Sequence, residues 1–247
     1  MRFGRIKRCD NIRGTIMKTF AISILASLIA STGAHAQAIF SEFSIGAGFP
    51  SKVETIDYSV TVDSTTVLED GTVLAPGDVI AGRLSGDFNA GIAAGIEIGM
   101  RGVGDKHISA SVSYDYLQAN LESITASGTI AGAPASETQS LEALGLTGAD
   151  FNNEADLVLG NLRYDFVGPR APLQPFIGIG AGGAFIEDSR SSAAFAATAG
   201  VRAPLGLGFF VGARYRYVKV LGYEDQIGIE YKDLNAHILS LTLGAHL

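Results

Sequence analysis

Apolar and polar residues alternate along most of the chain from residue 39 onward, and the pattern is clearest at the C-terminal end. Apolar residues occupy every second position there: Leu239, Leu241, Leu243, Ala245 and Leu247. Small or polar residues occupy the positions between them. Because successive side chains of a β-strand point to opposite faces, this stretch predicts a strand with one apolar face and one polar face.

Seven earlier segments show the same two-residue period. They cover residues 39–49, 88–100, 107–116, 156–166, 176–186, 194–203 and 209–219. Short turns at 101–106, 167–174 and 204–208 join alternate pairs of segments, and long polar stretches at 50–87 and 117–155 join two other pairs. The pattern predicts an all-β fold, an eight-stranded antiparallel up-and-down transmembrane β-barrel with short periplasmic turns and longer external loops.

A basic residue, an apolar run of about 11 residues and a small-x-small tripeptide follow one another between Lys18 and Ala36. This order is typical of a cleaved secretory signal peptide, and the run is too short to span a bilayer as a helix. We therefore expect residues 1–36 to be removed and residues 37–247 to form the barrel domain. Met17 lies directly before the signal and is an alternative start of translation.

Removal of the signal changes the charge and the thiol content of the chain. The mature part keeps 12 basic and 24 acidic residues, a net charge of −12. Such a chain has no electrostatic reason to bind nucleic acid. Cys9, the single cysteine, lies within the predicted signal, so the mature chain has neither a disulfide nor a thiolate metal site.

Aromatic residues at the predicted strand ends sort by strand direction. If the first strand runs outward, Tyr114, Tyr116, Tyr215 and Tyr217 fall at the external interface, and Tyr164, Phe166 and Phe209 fall at the periplasmic interface. Two aromatic girdles that flank an apolar band are typical of membrane barrels. The sorting favours a membrane barrel over a soluble β-sandwich, in which core aromatics would not sort by strand direction. A soluble periplasmic lipocalin-like barrel is a further alternative, but it would place its polar face outside.

Charged residues lie on the faces that we predict to point into the barrel. This predicted lumen network comprises Glu42, Glu97, Arg163, Asp165, Arg202 and Arg214. Burial of a lone charge costs several kcal/mol, so these groups must be paired or hydrated. We expect a salt-bridged plug that fills the narrow lumen, and the alternative is a gate that opens for small solutes.

Three glycine- and arginine-rich runs resemble a known group of proteins. The runs are Phe176–Gly182, Ala199–Val201 and Gly212–Tyr217. They are similar to small bacterial outer-membrane barrels, the relatives of the opacity proteins, surface antigens and the OmpA transmembrane domain. The resemblance implies a place in the outer membrane of a Gram-negative bacterium, in contact with membrane lipid and lipopolysaccharide.

The last predicted strand resembles the signal by which the barrel-assembly machinery recognises such proteins. The members of this predicted signal are Leu239, Leu241, Leu243, Ala245 and Leu247. The resemblance has one departure, because the family usually ends in Phe and this chain ends in Leu247. Assembly machinery is therefore an expected partner of the C-terminal strand.

The function that we expect is structural or surface-interacting, in the manner of an adhesin or antigen, without catalysis. Loops 50–87 and 117–155 would contact a host or cell-surface ligand, because loops on rigid frames carry function. We expect a hairpin from 58–62 and 65–68, and one helical turn that contains Leu141, Leu144 and Leu146. The alternative function is a narrow porin-like channel for small solutes.

A lipid-modifying barrel enzyme is a less favoured hypothesis. His107 and Ser109 resemble the His-x-Ser pair of outer-membrane lipid A deacylases. Both residues are expected to face the lumen near the periplasmic side, far from lipid in the outer leaflet, so a base there could not reach the substrate proton. The acidic loops lack the ligand spacing of a calcium loop, and we expect no metal and no cofactor.

Overall fold

The computed structural model describes residues 39–55, 57–67, 71–103, 105–130, 133–143, 152–186, 189–224 and 230–246. The predicted signal peptide therefore lies outside the described residues. Eight long strands dominate the fold. They are β1 (Ile39–Pro50), β2 (Gly91–Arg101), β3 (Ile108–Ile130), β4 (Asn152–Asp165), β5 (Gln174–Ile186), β6 (Ser192–Gly206), β7 (Phe209–Val220) and β8 (Leu234–His246).

The eight strands form a closed antiparallel ring. Each pairs with its neighbours in the sequence, and β1 also pairs with β8, from Phe40 opposite His246 to Pro50 opposite Ala236. Closure gives every strand two partners, so the ring has no free edge. The predicted fold class, an eight-stranded up-and-down barrel, is confirmed.

Alternate residues of each strand face outward and inward, as the two-residue period predicts. Phe43 and Ile45 of β1 are half exposed on the outside, whereas Glu42 and Ser44 between them are buried inside. Among the described residues, no helix is both long and apolar enough to cross a membrane.

Two predicted strand bounds are wrong. Strand β2 begins at Gly91, because Phe88 ends a separate strand, Val79–Phe88. Strand β3 does not stop at residue 116 but continues to Ile130. The expected helical turn is described only in part: residues 141–143 form a turn, and Leu144 and Leu146 lie outside the described residues.

The second half of β3 is the centre of an external sheet that is continuous with the ring through β3. Val79–Phe88 pairs with it from Ile80 opposite Ile130 to Phe88 opposite Leu121, and Ala133–Ser140 pairs along its other side. Val53–Glu54 and Tyr58–Thr61 add to the outer edge of Val79–Phe88. The two segments expected to form one hairpin thus pair elsewhere, since Thr66–Val67 pairs with Val73–Leu74. A last small pair joins Tyr223–Glu224 to Glu230–Tyr231.

The lumen has two chemically different halves. Near the long loops it is filled by a cluster of buried apolar side chains, which includes Leu117, Leu157, Leu159, Val218 and Ile238. Near the short turns it is filled by charged, polar and phenylalanine side chains. The apolar half was not predicted from the sequence.

Candidate functional site: the charged lumen

Nine charged side chains are buried in the polar half of the lumen within the described ranges. They are Glu42, Glu97, Arg101, Asp115, Arg163, Asp165, Arg202, Arg214 and Arg216. Each lies on the inward face of its strand, because strand alternation brings every second residue inside. Six strands contribute to this cluster, which we call the lumen charge cluster.

Four arginines of the lumen charge cluster each have a close carboxylate. Arg101 Nη2 is 3.0 Å from Asp165 Oδ2, and Arg214 Nη1 is 2.9 Å from Glu97 Oε2. Arg202 donates to Glu42, and Arg216 donates to Asp115. Pairing of this kind offsets the large desolvation cost of buried charge.

Serine hydroxyls complete the hydrogen bonding around Glu97 and Arg214. The Ser111 hydroxyl donates to Glu97 Oε1 at 2.7 Å, and Arg214 Nη2 donates to Ser44 Oγ at 2.7 Å. Ser113 Oγ accepts from Arg216 at 3.3 Å. Small hydroxyl side chains suit this place because an eight-stranded barrel leaves little room inside.

Arg163 differs from the other four arginines. Its nearest carboxylate oxygens are those of Glu97 and Asp165, both at 3.6 Å, and that of Glu42 at 3.9 Å. Each of these carboxylates already has a closer arginine. Arg163 is thus held by longer electrostatic contacts and by ring stacking.

Three phenylalanines fill the lumen between the ion pairs and the short turns. Each stands directly opposite a glycine of the next strand: Phe40 opposite Gly99, Phe176 opposite Gly200, and Phe210 opposite Gly244. A Cβ atom on Gly244 would lie 2.2 Å from Phe210 Cζ. The glycines therefore provide the space that the rings occupy.

The rings also hold two arginine head groups. The guanidinium carbon of Arg163 lies 4.6 Å from the centre of the Phe40 ring and 5.1 Å from that of Phe176. That of Arg202 lies 4.7 Å from the centre of the Phe210 ring. Contacts of this kind are favourable because a guanidinium is attracted to the negative face of a ring.

Little free space remains in the polar half. A cavity of about 10 Å³ lies among residues that include Glu97, Asn161, Arg163, Arg214 and Arg216. This is about the smallest volume that holds a single water molecule. Together with the apolar cluster near the long loops, the packing leaves no wide passage along the part of the lumen that the structure describes.

The structure places all six residues of the predicted network in the lumen charge cluster. Sequence reasoning missed three further members, Arg101, Asp115 and Arg216. Asp115 and Arg216 lie on faces that were expected to point inward, so alternation alone could have found them. Arg101 was assigned to a turn, but it is the last residue of β2 and points inward.

The predicted girdle residues lie on the outside in two groups. Tyr114 and Tyr215 are exposed toward the long loops, and Tyr164, Phe166 and Phe209 are exposed toward the short turns. The two remaining tyrosines, Tyr116 and Tyr217, are half-buried. Several polar tips have partners on neighbouring strands, since the Tyr114 hydroxyl donates to Asp156 at 2.5 Å and the Tyr217 hydroxyl to Asn235 at 2.6 Å.

The predicted assembly signal forms part of the outer surface of β8. Leu239, Leu241 and Leu243 are exposed outward, and Ala245 is half-buried. Leu247 lies outside the described residues. The exposed row is apolar, as a strand that faces lipid requires.

His107 and Ser109 both contact Asp165. His107 Nδ1 is 2.8 Å from the backbone oxygen of Asp165, and the Ser109 hydroxyl donates to Asp165 Oδ2 at 3.3 Å. Both side chains thus serve to hold Asp165, the partner of Arg101. The described residues contain no cluster of three potential metal ligands among His, Cys, Asp and Glu.

Comparison with solved structures gives similar membrane proteins at low identity. Neisserial surface protein A is 11% identical, with 85% of this chain and 97% of that chain covered and a TM-score of 0.47. The outer membrane protease OmpT of Escherichia coli is 8% identical, with coverages of 88% and 100% and a TM-score of 0.42. OprG of Pseudomonas aeruginosa is 10% identical, with coverages of 85% and 98% and a TM-score of 0.41.

A comparison with curated proteins gives no match. A family model described as "Outer membrane protein beta-barrel domain" matches residues 22–246, which is most of the chain and all eight strands of the ring. The chain therefore belongs to the outer membrane protein beta-barrel domain family.

Proposed function

We propose that this outer-membrane barrel is a closed, non-catalytic scaffold that holds its external sheet at the cell surface for contact with other molecules. The observation that carries the proposal is the length of β3, which has 23 residues. A strand needs only about 9–11 residues to cross a bilayer. The second half of β3 therefore extends beyond the barrel wall and carries the sheet with it.

The external sheet is tied to the barrel by more than one strand. Arg83 Nη1 is 3.2 Å from Glu54 Oε2, and Arg83 Nη2 is 2.8 Å from Asp57 Oδ1. Lys232, just before β8, places its Nζ 3.3 Å from the same Glu54 oxygen. These contacts, together with the hydrogen bond from the Lys232 backbone N–H to the Glu54 backbone oxygen at 2.8 Å, join the first and last external segments.

The surface of the sheet is suited to contact. Val60 is 56% exposed and Leu84 is 40% exposed, so apolar side chains stand in water outside the lipid band. Ala133–Ser140 is exposed along nearly all of its length. Exposed apolar groups on a rigid, otherwise polar surface favour binding of a second macromolecule.

A narrow channel is the competing function. The lumen charge cluster could serve as a gate if its ion pairs exchanged partners. Against conduction stand the small residual cavity and the buried apolar side chains that fill the other half. Both halves lie in series, so both would have to open before a solute could pass.

Single-channel recording of the purified, folded protein in planar bilayers tests the closed-scaffold proposal. Folding is checked first by a heat-modifiable shift on gels. We expect silent membranes. Reproducible conductance steps from a verified folded barrel, absent when Arg214 is replaced by Gln, would instead establish a gated channel.

Adhesion assays test the surface role. Bacteria that display the protein are compared with bacteria that display a variant in which residues 122–150 are replaced by a short Gly/Asn turn. We expect the variant to lose attachment to cultured host-cell monolayers, at equal surface amount and with an unchanged gel shift. Equal attachment of both strains to these monolayers would contradict the proposed role.

The membrane contacts and the assembly route are part of the same proposal. We propose that the outward apolar rows contact outer-membrane lipid and lipopolysaccharide, and that the C-terminal strand is read by the barrel-assembly machinery after cleavage of residues 1–36. Replacement of Leu241 by Asp should reduce the amount of folded barrel in outer-membrane fractions. An unchanged amount would remove the support for β8 as the signal.

A further inference from the structure

The charges of the lumen do not balance. In the part of the chain that the structure describes, the lumen charge cluster has five arginines and four carboxylates. Arginine does not lose its proton in proteins, so the surplus of positive charge persists at any ordinary pH. An unmatched buried charge costs several kcal/mol unless a counter-charge or a set of hydrogen bonds compensates it.

The surplus positive charge can be assigned to one residue. Arg101, Arg202, Arg214 and Arg216 each have a carboxylate oxygen within 3.0 Å. Arg163 has none closer than 3.6 Å. It is 6% exposed and therefore cannot be neutralised by bulk solvent.

The small lumen cavity lies beside this residue. Arg163, Arg214 and Arg216 all line it, together with Glu97 and the uncharged Asn161. The three arginines carry four buried nitrogens without a hydrogen-bond partner among the described residues: Arg163 Nε and Nη2, Arg214 Nε and Arg216 Nε. Three buried oxygens near these arginines also lack a hydrogen-bond partner: Asn161 Oδ1, Asp165 Oδ1 and Glu42 Oε1.

Unmatched donors thus exceed unmatched acceptors around the cavity. A water molecule would both accept and donate, and so would leave the surplus charge in place. An anion accepts from several N–H groups and carries the missing charge. We propose that the cavity beside Arg163 binds one small monovalent anion of the halide class, which supplies the fifth negative charge of the lumen.

The size of the cavity limits the ligand to a single small ion. At about 10 Å³ the cavity takes a halide with a small shift of the lining arginine side chains, whereas phosphate, sulfate or an organic acid would need a much larger displacement. Leu157, Leu159 and their neighbours close the lumen toward the long loops. The ion is therefore a structural component of the barrel and not a permeating species.

Anomalous diffraction from crystals grown in sodium bromide tests the proposal directly. We expect one bromide peak within hydrogen-bonding distance of Arg163 and of Arg214 or Arg216. Density in the cavity without an anomalous signal would identify a water molecule and overturn the proposal. This measurement needs no variant, so it does not depend on whether a lumen substitution folds.

Thermal unfolding in detergent provides a solution test. Wild-type protein is compared in chloride, bromide and gluconate at equal ionic strength, with the heat-modifiable shift as readout. At a halide concentration ten times its Kd, the ratio of folded to unfolded protein should rise about elevenfold over gluconate, and it should keep rising in proportion to the halide concentration above that point. Equal unfolding midpoints in all three salts would contradict the proposal.

Two variants test whether the halide dependence of the unfolding midpoint arises at the cavity beside Arg163. Arg163→Gln removes the surplus charge, so its unfolding midpoint should no longer depend on the halide. Arg83→Gln removes an arginine of the external sheet, and its midpoint should keep the wild-type halide dependence. Halide dependence retained in Arg163→Gln, or lost in Arg83→Gln, would place the effect outside the cavity.

Discussion

Individual residues of the lumen contribute to stability through strict pairing. Glu42 is fully buried and accepts from Arg202, with Arg214 at 3.5 Å. The substitution Glu42→Gln keeps the shape but removes the charge, which leaves Arg202 without its counter-ion. We expect a loss of about 3–5 kcal/mol, the usual cost of breaking a buried pair. Urea unfolding in lipid vesicles, followed by the gel shift, measures it.

A matched control separates burial from charge in this experiment. Glu224→Gln also removes a carboxylate that pairs with an arginine, since Arg190 Nη1 is 2.7 Å from Glu224 Oε2. That pair is exposed on the external side, with Arg190 74% exposed. Surface pairs contribute at most about 1 kcal/mol. If both substitutions lowered the free energy of unfolding equally, burial would not increase the contribution of the ion pair to stability.

The facing glycine and phenylalanine residues predict a second effect at this scale. A methyl group on Gly244 would lie 2.2 Å from Phe210 Cζ and 2.5 Å from the Ser41 backbone oxygen, so Gly244→Ala should destabilise the barrel. Overpacking of this kind typically costs about 1–3 kcal/mol. Gly168→Ala serves as the control, because nothing lies within 4 Å of its added methyl group. Similar unfolding midpoints for the two variants would contradict the proposed ring packing.

At the scale of elements, an exposed ion pair joins β7 to the segment before β8. Lys219 Nζ is 2.7 Å from Asp233 Oδ2. The hydrogen bond from Lys219 lowers the pKa of Asp233 below its ordinary value. The pair therefore stabilises the fold fully above the unfolded pKa of about 3.9, and this contribution disappears as the pH falls through the lower folded pKa.

The lowered pKa of Asp233 predicts that stability depends on pH. Wild-type protein should unfold at a higher temperature than Asp233→Asn at pH 7, and the difference should shrink as the pH falls below the unfolded pKa of about 3.9. The readout is the midpoint of the heat-modifiable shift at each pH. A difference that does not shrink with falling pH would show that Asp233 acts by another route, such as its acceptance of the Gly222 backbone N–H at 2.9 Å.

The strands were predictable from sequence where their two faces meet different environments. Phe43 and Ile45 alternate with Glu42 and Ser44 because lipid lies on one side and a polar lumen on the other. The signal weakens in β4, where Leu157 and Leu159 face an apolar part of the lumen while Val158 faces outward. Both faces are apolar there, so the period of two is lost.

The continuation of β3 beyond residue 116 could not be predicted from the sequence, for the opposite reason. Beyond residue 120, both faces of the strand stand outside the membrane and carry mostly small or polar residues, so no continuous apolar row marks them. Pairing with Val79–Phe88 and Ala133–Ser140 maintains the strand instead. Such long-range pairing is decided by tertiary contact and leaves only a weak trace in local sequence.

At the scale of the whole molecule, the two filled halves of the lumen lie in series. The apolar half contains Leu157 and Leu159, and the polar half contains Arg216 paired with Asp115. An ion that crosses the barrel would have to pass both halves of the lumen, and the narrower half would limit the current. A substitution that widens one half alone should therefore leave the barrel silent in planar bilayers.

Widening both halves together should open the barrel. We expect no conductance from Leu159→Ser or from Arg216→Ser alone, and measurable steps from the double variant, because only the double variant creates a continuous hydrated path. Leu241→Ser, on the outward face of β8, controls for general loosening and should stay silent. Each variant is first shown to fold by its gel shift. Conductance from either single lumen variant would mean that one half alone closes the barrel, and the filled lumen would then be a single gate rather than two plugs.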